Sequence, residues 1–124
     1  WVVSGGEDQR VKAREMTVRV EQGEAGEPSV SVLWNGDARD VVAHAAAVRG
    51  VDVALPYVFS VSTDQRVCVF HIDDLTMEAS HVINAADAAD VLVGNTGSSG
   101  HVVVTAGVGI DSLTTHRQLA PGTE

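Results

Sequence analysis

The chain is short of several things, and each shortage narrows what it can be. It has one cysteine, Cys68, so no internal disulfide can form and no disulfide framework marks a small secreted scaffold. Cys68 stands between Val67 and Val69, where a buried, inert thiol is the expectation. Basic residues number 8 against 17 acids, a net charge of −9. Such a surface repels phosphate backbones and anionic headgroups, so neither nucleic acid nor a membrane surface is an expected partner. No apolar run reaches the roughly 18 residues of a membrane-spanning helix, and no signal-peptide pattern is present. Aromatics are 4% of the chain, so the 44% apolar content rests on Val and Ala, which leans towards sheet.

The charge is unevenly spread. Beyond Val51 the only bases are Arg66 and Arg117, and nothing between Val67 and His116 is Lys or Arg. The plain reading is a solvated acidic face; the functional one is a face that meets a basic partner or a cation. The chain begins with Trp1 rather than Met, which fits a processed product or a piece of something longer. At 124 residues it is expected to be one domain spanning 1–124, with a polar tail over 120–124.

The strongest pattern is PYVFSVSTDQRVCVFHIDD, Pro56 to Asp74. Tyr57, Phe59 and Val61 alternate with Val58, Ser60 and Ser62, and a second run from Val67 to Ile72 is apolar on both faces except at His71. Successive strand side chains point to opposite faces, so a two-faced apolar run predicts a covered, mid-sheet strand. Thr63 to Arg66 suits a hairpin loop. Met16–Gln22 and Ser29–Asn35 alternate as well and predict a second hairpin around GEAGEP. Val2 and Val3 predict an edge strand, Val51–Leu55 a strand lead-in, and His101–Ile110 a strand. Thr76–Ile83 is ambiguous.

Two segments read as helices. Asp37 can cap Ala38–Arg49, whose Val41, Val42, Ala45 and Val48 form an apolar stripe stopped by Gly50. Asn84 can cap the Ala-rich Ala85–Val93, stopped by Gly94. Asp111–Gln118 suggests a last helical turn. The expected fold is therefore α+β: a mixed, mainly antiparallel sheet of about five or six strands with two short helices, packed in layers.

Motifs for chemistry are thin. Gly94-x-x-Gly97-x-x-Gly100 follows a predicted helix and precedes a strand, the reverse of a phosphate loop, and no Lys follows it. Gly107-x-Gly109 lacks a third glycine, and too little chain remains for a βαβ unit, so a bulge or tight bend is the better account. No nucleophile elbow exists, Ser98, Ser99 and His101 are close only in sequence, and His44 is expected on the surface of the first helix. No catalytic residue and no cofactor are assigned. The densest ligand-type set is His71, Asp73, Asp74, Glu78 and His81. His71 and Asp73 share a strand face, so His71, Asp73, Asp74 and His81 form the alternative metal or acid–base site.

Two functions of different class follow. The first is a non-enzymatic structural or assembly domain that self-associates or joins a larger assembly, with virus or phage particle components (capsid, decoration or tail) among the candidates. It rests on Val content, missing catalytic constellation and the start without Met. Edge residues Val2 and Val3 and the tail from Ala120 would then pair with neighbours. The second is a small α+β enzyme or ligand-binding domain with its site around residues 71–81. A binding module using the acidic face lies between them.

Overall fold

The structure, a computed structural model, describes residues 1–84, 86–95 and 101–115. Every helix or strand among them is a strand: β1 Val2–Gly5, β2 Arg10–Gln22, β3 Pro28–Val42, β4 Val48–Ala54, β5 Tyr57–Ser62, β6 Arg66–His71, β7 Met77–Val82, β8 Ala86–Asn95 and β9 His101–Thr115. They form three antiparallel sheets, ordered β1-β2-β3, β4-β5-β6-β7 and β8-β9.

The hairpin Tyr57–His71 lies in the middle of the second sheet and is covered on both faces. Val58, Cys68 and Phe70 point one way, into a core shared with Val11 and Ala13 of β2, Ala43, and Val48 of β4. Phe59, Val61, Val67 and Val69 point the other way, against Ala88 and Val91 of β8 and Val103 of β9. The molecule is thus a three-layer stack, and the two-faced apolar pattern of β5 and β6 is its physical cause. Between the second and third layers the backbones nearly touch. A Cβ at Gly50 would stand 2.8 Å from Asp90 Cα. Beside this close approach, Asp52 Oδ2 accepts a hydrogen bond from Val93 N at 2.8 Å.

The α+β expectation is corrected: the fold is all-β. Ala38–Arg49 is the end of β3, a loop over residues 43–47, and the start of β4. Its valines fit a strand as well as a helix, and pairing with β2 decides: Val41 lies opposite Val11 and Val42 opposite Arg10. The turn signal at Asn35-Gly36-Asp37 is a bulge, not a cap. Ala13 pairs with Arg39 and Glu15 with Asn35, so three residues of β3 face Arg14 alone, with Gly36 at φ 66°. Ala85–Val93 is largely strand β8, held by β9, and its Val91 and Ala88 enter the core. Between Ala86 and Asp90 its ladder slips, so residues 87–89 face Gly107, which is the bulge expected there. Residues 111–115 continue β9 rather than turning helical. The polar tail 120–124, most of the 94–100 glycine loop and residues 116–118 lie outside the described residues.

One part of the first sheet leaves the stack. Beyond the bulge, β2 and β3 continue as a two-stranded ribbon over residues 15–35, almost wholly exposed on both sides. Val18, Val20, Val30, Val32, Leu33 and Trp34 are all exposed in it.

Candidate functional site

The most connected set of polar side chains joins the first two layers, at residues that the sequence placed on a helix surface (His44), in a strand (Ser60) and in a hairpin loop (Asp64), and gave no functional part. The loop after β3 turns His44 inwards, and its side chain is fully buried. Its Nδ1 lies 3.0 Å from Asp64 Oδ2 and its Nε2 lies 2.7 Å from Ser60 Oγ. A carboxylate only accepts, so Nδ1 carries the hydrogen and, in the neutral ring, Nε2 accepts from the Ser60 hydroxyl. Asp64 also accepts from Ala45 N at 3.1 Å and Arg66 N at 3.0 Å. One side chain in the β5–β6 turn thereby fixes both that turn and the 43–47 loop.

Cys68 adjoins the network. Its Sγ is 3.7 Å from the Ala43 carbonyl oxygen and 3.6 Å from Ser80 Oγ. Burial pushes the thiol pKa up, against the opposing pull of the Ser80 hydrogen bond, so the thiolate needed for reactivity is disfavoured.

Asp64, His44 and Ser60 stand in the order that acyl-transfer triads use. The surroundings differ from such a site. Ser60 has no solvent exposure and sits mid-strand beneath the first layer, so its hydroxyl meets no substrate. What this arrangement does chemically is satisfy three buried polar groups at once, and among the described residues no buried side-chain polar atom lacks a partner. Sequence carried no signal for it: His44 is 16 residues from Ser60 and 20 from Asp64, and only the sheet stacking joins them.

The residues proposed as a metal or acid–base site are placed as follows. His71, at the end of β6, has Nδ1 3.6 Å from Oδ2 of the exposed Asp73 in the following turn, a surface contact that contributes little. Tyr57 meets the His71 ring edge-on, with centroids 5.9 Å apart. Asp74 closes the following turn by accepting from Thr76 N at 2.9 Å. That bond, with the Thr76 hydroxyl, holds its carboxyl below the ordinary carboxylate range. His81 lies opposite Val67 on β7, whereas His71 lies opposite Tyr57. Val67 and His71 are four residues apart on β6, roughly 13 Å at the rise of a strand. The structure therefore brings His71 and Asp73 together and leaves His81 at the far end of the sheet. Among the described residues no three His, Cys, Asp or Glu side chains are grouped to hold a metal ion, and no helix is long and apolar enough to cross a membrane.

The remaining candidate is a surface. On one face of the β2–β3 ribbon, Met16 pairs with Trp34, Val18 with Val32 and Val20 with Val30. The opposite face carries Thr17, Leu33, Arg19, Ser31, Glu21 and Ser29. At the base, the Arg14 guanidinium lies 5.1 Å from the Trp34 ring centroid and donates to the Gly36 carbonyl at 3.1 Å. No protein-family model matches the chain, and no curated protein matches it.

Proposed function

We propose that the chain is a non-enzymatic structural or assembly domain, and that its working part is the projecting β2–β3 ribbon. The observation that carries this reading is the ribbon's exposed apolar row, Val18, Val20, Val30, Val32 and Trp34. A lone two-stranded ribbon is marginal in water, and a contiguous exposed apolar patch is a common mark of an interaction surface. The best-formed polar cluster, around His44, is sealed inside the stack and contributes cohesion rather than chemistry. The reading is confined to assembly. A capsid or virion setting gains no support from the fold or from the comparisons.

The test is the solution mass of the purified chain by light scattering over a wide concentration range. A mass above that of one chain, rising reversibly with concentration, is the expected result. A monomer at every concentration sinks the self-associating form of the proposal. The alternative site around residues 71–81 is tested by metal analysis and by His71→Ala, which on the assembly reading leaves the solution mass unchanged.

A further inference from the structure

We infer that the occupant of the ribbon's apolar face is the same face of a second copy, packed face to face and antiparallel about a two-fold axis at the Val18–Val32 pair. This rests on the assembly reading above and names its partner. Three observations carry it.

The first is that the face is a separate surface. Val11 and Ala13 of β2 enter the core, whereas Met16, Val18 and Val20 have the opposite parity on the same strand. The ladder is broken between the two stretches, at Arg14. The ribbon face is thus no leftover of the core-facing row.

The second is a gradient of size. The pair at the base, Met16 with Trp34, is large; the pairs towards the tip, Val18 with Val32 and Val20 with Val30, are small. Antiparallel stacking about Val18–Val32 sets Met16 of one copy over Val20 of the other, and Trp34 over Val30. Large then meets small, as interdigitating layers require. Parallel stacking sets Trp34 over Met16 and leaves only valines facing valines at the tip.

The third is charge. The six side chains of the face are uncharged. Its base carries Arg14, whose guanidinium bonds a carbonyl rather than a carboxylate. Its tip, the Gly23–Glu27 turn, carries exposed Glu24 and Glu27. Antiparallel packing brings the acidic tip of each copy towards the Arg14 guanidinium of the other, and parallel packing brings the acidic tips together. The face has six side chains, against the roughly 20–30 residues a side of a standard stable interface, so the dimer is expected to be weak and reversible.

The experiment uses the whole chain. Sedimentation velocity is run on wild type, on Val18→Asp at the proposed axis, and on Leu33→Asp, an exposed site on the opposite face. Wild type and Leu33→Asp should dimerise alike, and Val18→Asp should weaken the dimer at least tenfold. Val18→Cys supplies a measurement that does not need loss of function. Under oxidation it should cross-link two copies, while Leu33→Cys should not; native Cys68 is buried and takes no part. Orientation is read from Arg14→Glu and from Glu24→Arg with Glu27→Arg. Each set should weaken the dimer, and their combination should restore it. Oligomers that persist in Val18→Asp, with no cross-link through Val18→Cys, overturn the inference while leaving an assembly role intact. A wild-type chain that stays monomeric throughout overturns the inference together with the self-associating form of the assembly reading.

Discussion

The second sheet and the ribbon are built from the same material and end in opposite environments. β5 and β6 place Val58, Val61 and Val67 where water does not reach; the ribbon leaves Val20 at 64% and Val30 at 66% exposed. Both stretches alternate, both are rich in β-branched residues, and both pair as antiparallel hairpins. The difference is what lies above and below. Phe59 and Phe70 of the central hairpin reach into two cores at once, while the ribbon runs past the layers that would cover it. Alternation alone therefore reports that a segment is a strand; cover on both sides is reported by the second apolar face, which β6 has and the ribbon lacks.

The contrast can be broken most forcefully from the core side. Phe70→Ala removes a fully buried ring from the core between the first two layers. It should cost about 3–5 kcal/mol, read from the urea midpoint. His44→Ala leaves Ser60 and Asp64 short of a partner, at about 1–3 kcal/mol for each buried group stranded. Limited proteolysis under native conditions should also cut faster in the 43–47 loop. Gly50→Ala drives a methyl against Asp90 Cα, a backbone atom that cannot swing aside. A loss of about 1–3 kcal/mol is expected, and an unchanged midpoint would show that the second and third layers are not in such close contact.

A smaller effect belongs to Cys68. Its folded pKa lies above the unfolded one, so between the two values the folded state holds a proton that the unfolded state has lost. Stability should therefore fall as pH rises past the ordinary thiol range, about 8.5. The stability gap between wild type and Cys68→Ser should narrow from neutral to alkaline pH. Smallest of all is the effect on the ribbon. Val20→Thr should move the midpoint by no more than about 0.5 kcal/mol, the usual range for a surface substitution. A large loss there, in dilute monomer, would place Val20 in a core after all.

Much of the strand pattern was legible because Val, Phe and Tyr alternate in it. Tyr57–Ser62 and Arg66–His71 are the hairpin their residues announce, and the mid-sheet placement follows from apolar residues on both faces. The helices failed for a definite reason. In Ala38–Arg49 the valines satisfy both periods, and the partner that settles the matter, β2, is about 30 residues away in register. Alanine in β8 favours helix and aspartate disfavours strand, and pairing with β9 overrides both. Nearness in sequence was enough to join His71 with Asp73, although Asp73 lies in the turn after β6 and not, as expected, on the same strand face. It could neither bring His81 to them nor foresee His44 reaching Ser60 and Asp64, because both depend on how strands are registered and layers stacked.

The His44 loop has a mechanical consequence. Strand β3 runs from the ribbon's tip, through the bulge opposite Arg14, to Val42, and the next residue, Ala43, is tied to Gln9 O by its N–H at 2.8 Å. His44 and Ala45 then clasp Asp64. The base of the ribbon is thereby fastened to the central hairpin by the bonds of His44 and Ala45 to Asp64, as well as to β2 by the ladder.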